Sequence, residues 1–196
     1  MLNQIINTMK KLASLFLIPA VIISLVAFRP VAGKLVSKNA HINFFSHTSV
    51  EDITANNYKV VSTLETSTGD LAFSVPMQSF EFEKALMQEH FNSGNFLDTK
   101  KFPKAKFDGK ITNISTVNFS QDGVYEVDVT GNMTIKETTK PVNTKGTITI
   151  KGGKVNGSTK FNLVLAEYGI AFKKGKPSTN IAKEIEVKVN ADYLSE

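Results

Sequence analysis

The side chains that most often carry chemistry are few in this chain, and their spacing does not serve it. There are three histidines, His41, His47 and His90. His41 and His47 stand six apart, which lets them share one face of a strand. A metal site there would need a third or fourth ligand, and no zinc-type spacing supplies one. His41 also alternates with Ile42 and Phe44, which places it on the polar face of that strand. His90 has Leu86 at i−4 and reads as a helix-surface residue rather than a base. The chain has no cysteine, which excludes a thiol nucleophile and Cys-based metal sites. Serines and carboxylates are scattered, with no G-x-S-x-G elbow, phosphate loop or H-E-x-x-H motif. Glu51-Asp52 reads as a solvated turn. The expectation is therefore a protein with no catalytic residues, no metal and no cofactor.

Two groups of residues remain. Lys173, Lys174 and Lys176, beside Gly175 and Pro177, form a small basic loop. It is read first as a solvated loop and second as a place where an anionic headgroup is attracted. Phenylalanine is the richer signal, since twelve of the fourteen lie after residue 33. Such residues either fill a core or line a space for an apolar ligand.

What positions them is a series of two-faced strands, because a period of 2 sends successive side chains to opposite faces. Tyr125, Val127, Val129, Gly131, Met133 and Ile135 alternate with six polar residues. Ile185, Val187, Val189, Ala191 and Tyr193 do the same, as do Val142, Gly146, Ile148 and Ile150. Ala105, Phe107 and Ile111 share a face, and so do Phe161, Leu163 and Leu165, and Leu71, Phe73, Val75 and Met77. Ile42 with Phe44, and Tyr58 with Val60 and Leu64, form shorter sets. Asp122-Gly123, Gly152-Gly153 and Asn156-Gly157 are read as turns, because Gly and Asn tolerate positive φ. One segment departs from alternation. Residues 82–92 contain good helix formers, with Phe82, Leu86, Met87 and Phe91 on one stripe. About eight antiparallel strands and one inserted helix make an all-β domain, either a closed barrel or a sandwich. Periodicity shows a dry interior; it does not say whether that interior is hollow.

The N-terminal segment reads differently. Lys10-Lys11 precedes an apolar run from Leu12 to Phe28. This is the pattern of a secretory signal peptide, assigned to residues 1–33, with Met9 an alternative start and the cleavage site blurred near Val31-Ala32-Gly33. The run lies at the bottom of the roughly 17–25 residues of a spanning helix, so an uncleaved anchor is the second reading. The domain is expected over residues 34–196, periplasmic or secreted, without a lipid-modified cysteine. Lys10, Lys11 and Arg29 carry three of the 23 basic charges; the remaining 20 face 18 acidic ones, for a net +2 rather than +5. That balance gives no case for nucleic acid.

The order of several motifs then resembles a known family. Residues Phe80 to Asn92, followed by Asn95-Phe96-Leu97-Asp98 and Lys101-Phe102-Pro103-Lys104-Ala105-Lys106-Phe107-Asp108-Gly109, look like the helix region of the YceI-like polyisoprenoid-binding family. Gly131-Asn132-Met133-Thr134-Ile135 with Thr139-Lys140-Pro141-Val142 resembles a second family motif, and Tyr168-Gly169-Ile170 also fits. Glu137 stands where many members carry Gly, and Ser46 to Asn57 departs from the commonest pattern. The resemblance implies an eight-stranded antiparallel lipocalin-like barrel with one short helix inserted near residues 82–92. It further implies a long tunnel holding a polyisoprenoid, a quinone-like molecule or another amphiphilic lipid; for a holder of such a lipid, transient membrane contact is a further expectation. The dry-face residues expected to line that tunnel are Phe44, Phe73, Phe107, Tyr125, Val127, Met133, Phe161, Leu163 and Tyr193. Leu86, Met87 and Phe91 are expected to close one end. The alternative is a packed barrel serving as an interaction or stress-associated module; a lipid hydrolase or isomerase is the weakest reading.

Overall fold

The alternating runs become long strands in the computed structural model, which describes residues 33–49, 51–170, 172–173, 176–177 and 182–195. In chain order these are β1 (Lys34–His47), β2 (Asp52–Glu65), β3 (Asp70–Pro76), β4 (Glu81–Phe82), α1 (Ala85–Asn92), β5 (Lys104–Ile111), β6 (Gly123–Ile135), β7 (Thr138–Lys151) and β8 (Lys154–Val164). The short β9 (Phe172–Lys173) and β10 (Lys176–Pro177) pair with each other, and β11 (Glu184–Ser195) ends the fold. The long strands run in the order β1-β11-β8-β7-β6-β5-β3-β2, and β2 pairs back onto β1. Every pairing is antiparallel. This is a closed eight-stranded barrel, which removes the exposed sheet edges that a sandwich would carry.

The two ends of the barrel differ. At one, here the floor, Leu35, Leu64, Ile111, Ile150 and Val155 are almost wholly removed from solvent. The turns there are tight: Gly152 and Gly153 join β7 to β8 with φ of 56° and 77°, values that suit glycine. At the other end, the β1–β2 turn, β4, α1 and the segment before β5 close over the opening. Within Ser46 to Asn57 the described residues pair as the two arms of a hairpin, with Phe45, Ser46 and His47 opposite Thr54, Ile53 and Asp52.

Local differences from the alternation have physical causes. The β1–β2 register shifts between Ser37 and Ile42, and such a bulge changes which face a side chain takes. Tyr58 therefore points outward and is exposed while Val60 and Leu64 are buried. The buried Asn57 stabilises the irregularity: its Nδ2 donates to Pro76 O at 2.9 Å, and its Oδ1 accepts from the Lys59 N–H at 2.9 Å. Asn156-Gly157 is not a turn but part of β8, where a Cβ on Gly157 would lie 3.2 Å from the Tyr193 ring. The helix begins at Ala85 rather than residue 82, because Glu81 and Phe82 pair with Asn56 and Ala55 of β2 instead.

Candidate functional site

The barrel encloses a cavity of about 950 Å³ reaching from the floor to the helix end. Leu64 and Ile111 reach it from the packed floor, and β5, β6, β7, β8 and β11 supply most of its wall. One reason space remains is a pair of glycines. Gly109 and Gly131 stand opposite each other on β5 and β6, and Phe107 lies over both. A Cβ on Gly131 would come within 2.6 Å of Phe107 Cζ and 2.5 Å of Gly109 Cα. The ring is thus laid against the wall, with Phe73 edge-on at 6.3 Å.

The roof is aromatic. Phe91 drops from α1 onto Phe44 of β1 at 6.0 Å, Phe80 at 5.5 Å, Phe82 at 5.0 Å and Phe96 at 6.3 Å. Segment 93–103 fastens this cap. Buried Thr99 donates from Oγ1 to Asn92 Oδ1 at 2.8 Å, Gln78 Nε2 donates to Thr99 O at 3.2 Å, and Lys136 Nζ donates to Phe96 O at 2.9 Å. Around the rim stand Thr48, Glu51, His90, Ser93 and Asn95. Glu51 Oε2 accepts from Lys84 Nζ at 2.8 Å, and that carboxylate holds the Lys84 ammonium above its ordinary range.

Of the residues expected to line the interior, Phe44, Phe73, Met87, Phe91, Phe107, Val127, Met133, Phe161, Leu163 and Tyr193 all face this one cavity. Two expectations are corrected. Leu86 is 57% exposed, because the eight-residue α1 sends Phe91 and Met87 inward and leaves Leu86 on the outer side. Tyr125 has the inward phase, but its hydroxyl donates to the Asn118 and Gln121 carbonyls, at 3.2 and 3.0 Å, in the loop before β6. It fastens that loop at the floor instead of lining the cavity. The lining residues that alternation did not single out, Phe80, Phe96, Leu97 and Ile170, come from turns and loops without a period. Phe80 and Phe96 were signalled by the clustering of aromatic residues around the helix, Leu97 and Ile170 only by the family-like motifs that contain them.

Polar groups facing the interior are few and satisfied. Tyr193 hydroxyl and Ser62 Oγ are 2.7 Å apart and buried, and burial pushes the Tyr193 phenol up to about 12. Thr144 and Thr159 hydroxyls stand 3.4 Å apart. His41 lies on the outer wall, its Nε2 2.9 Å from Asn56 Oδ1 and its ring stacked 4.4 Å from Tyr58. His47 pairs with Asp52 at 2.5 Å on the surface. Among the described residues no three His, Cys, Asp or Glu side chains gather as metal ligands. Lys174, Gly175 and the side chains of Lys173 and Lys176 lie outside the described residues, as do residues 1–32. What the arrangement offers is a largely apolar volume inside the barrel, open in part and with polar groups at its rim, which suits an apolar chain.

Comparison with known proteins places this geometry among relatives. Residues 34–193 match the YceI-like domain family. A UPF0312 protein of Pseudomonas putida W619 is 35% identical over 107 residues, covering 52% of this chain and 50% of the relative. One from Shewanella denitrificans is 29% identical over 131 residues, covering 62% of this chain and 63% of its own. The chain thus aligns with about half the length of the Pseudomonas relative. The structure of a polyisoprenoid binding domain from Saccharophagus degradans, implicated in plant cell wall breakdown, superposes with a TM-score of 0.70 at 10% identity. That match covers 84% of this chain and 99% of the other. Burkholderia cenocepacia BcnA superposes with a TM-score of 0.66 at 16% identity, covering 79% and 96%. These likenesses establish a shared fold.

Proposed function

Because the chain belongs to the YceI-like domain family, we propose that it is a binding protein that shields one long apolar chain, of a polyisoprenoid or another amphiphilic lipid, inside its barrel. The observation that carries this reading is the largely apolar cavity of about 950 Å³ inside the barrel, roofed by phenylalanines, with Glu51, His90, Ser93 and Asn95 at the helix-end rim. Each methylene moved from water into such a volume contributes about 0.8 kcal/mol, so a long chain is favoured over a short one. The polar rim suits a head with oxygen atoms, such as an alcohol or a quinone. The binding domain of Saccharophagus degradans with the same fold supports the isoprenoid assignment. The apolar run after Lys10-Lys11 supports export, with the domain working in the periplasm or outside the cell and meeting membranes transiently.

The experiment is titration with an environment-sensitive apolar dye followed by displacement with a polyprenol. Saturable uptake at one site per chain is expected, with displacement by the long alcohol and not by a short one. Met133→Trp, which places a larger side chain on the cavity wall, is expected to weaken uptake about tenfold or more while the barrel stays folded. Uptake that is absent, or equal in wild type and Met133→Trp, would contradict the reading.

A further inference from the structure

Among the described residues, one seam of the barrel wall is not zipped. β7 pairs with β6 from Thr138 to Ile150, and β8 pairs with β11 from Val155 to Val164. Between β7 and β8, however, the ladder covers only Gly146↔Thr159 to Lys151↔Lys154. Toward the helix end, residues 138–145 and 160–164 face one another without a ladder among the described residues. Thr159 Oγ1 ends the zipped part by donating to Lys145 O at 2.6 Å. Pro141, which has no N–H to give, lies in the unzipped part of β7, and proline is confined to strand edges that need no donor. The comparable divergence of β2 from β3 is closed by β4 and by the Asn57 amide.

The seam opens on the cavity. Val142 and Thr144 on one side and Phe161 on the other line it, and all three are half-buried, whereas Val127 and Ile148 on zipped strands are buried. A single turn, Leu165–Tyr168, covers the wide end of the seam, with Leu165 and Ile170 reaching into the cavity. Among the described residues its backbone hydrogen bonds run within the turn and to Lys183, before β11, not to β7. Gly169 ends it in the left-handed region at φ 66°, where only glycine is free of strain.

We infer that the β7–β8 seam is the lateral entry route for the apolar chain, with the turn Leu165–Tyr168 as its movable cover. Resting on the lipid-holder reading, this gives the route by which a lipid leaves a membrane: its chain passes sideways through the wall. The alternative axial route requires breaking the aromatic roof. Among the described residues, parting the seam breaks no ladder hydrogen bond and only the contacts of the Thr159 hydroxyl with Thr144 and the Lys145 carbonyl, whereas parting any zipped pair of strands breaks several ladder bonds.

The absence of native cysteine makes the test clean. Asn143→Cys and Asn162→Cys are outward, exposed positions that would face each other if the ladder continued. A flexible bis-maleimide joins them across the outside. Uptake of an apolar dye from phosphatidylcholine vesicles, and its release, are expected to slow about tenfold or more on bridging, with equilibrium affinity unchanged. Gly169→Ala, which strains the cover, is expected to speed both rates at unchanged affinity. Rates that ignore both changes, in a protein that still binds dye, overturn the entry route alone. A wild-type protein that takes up no dye overturns the route together with the lipid-holder reading.

Discussion

Tyr193 and Ser62 show how a single polar contact is set into a dry barrel. Tyr193 is 4% exposed, and its hydroxyl is 2.7 Å from Ser62 Oγ. Removing the phenol oxygen leaves the Ser62 hydroxyl without this partner, which costs about 1–2 kcal/mol. Tyr193→Phe should lower stability by that amount near neutral pH, as read by urea denaturation. The pH dependence follows from the raised phenol, at about 12 against an ordinary 10.0. Folding favours the protonated form. Its contribution is therefore fully present below pH 10 and is lost as pH rises toward 12. Between roughly pH 8 and pH 11, wild type should lose about 1 kcal/mol more than Tyr193→Phe. Equal losses would mean that the phenol is not held in the dry interior.

At the scale of elements, the cap depends on one side chain of a helix too short to persist alone. Phe91 touches Phe44, Phe80, Phe82 and Phe96. Phe91→Ala should cost about 3–5 kcal/mol and release the amides of Ala85–Asn92 to rapid hydrogen exchange. Leu86→Ser, on the exposed side of the same helix, should change stability by about 0.5 kcal/mol or less. Equal effects of the two would contradict the roof. This contrast also marks what could be read in advance. Strand faces were legible because burial on one side imposes a period of 2, so Phe107, Val127, Met133 and Leu163 could be placed inside from the sequence. Leu86 could not be excluded, since a stripe on an eight-residue helix does not fix its rotation against a roof made of β4 and loops. Tyr125 had the correct phase and the wrong height, which depends on where the strand meets the floor. Phe80, Phe96 and Leu97 lie in turns whose positions are set by contacts distant in sequence, such as Lys136 with the Phe96 carbonyl. The outward Tyr58 followed from a bulge that alternation alone does not announce.

For the whole molecule, the division of labour is between a packed floor and a hollow remainder. Leu35, Ile150 and Val155 supply the tight packing that holds the barrel closed, while the Gly109–Gly131 pair and the flattened Phe107 leave the upper barrel open. A volume of about 950 Å³ walled by Val, Ile, Leu and Phe has no purpose in a protein that only needs stability, because unfilled apolar space weakens packing. Occupation by a long apolar chain offsets that deficit and makes stability depend on the ligand. The most direct measurement is mass spectrometry of an organic extract from protein expressed in a bacterium and purified without detergent, alongside Met133→Trp handled in the same way. The account predicts a co-purifying long-chain lipid, near one per wild-type chain and reduced in the variant. Extracts of repeated wild-type preparations that carry no such lipid, from a protein that also takes up no polyprenol when it is offered, would contradict it.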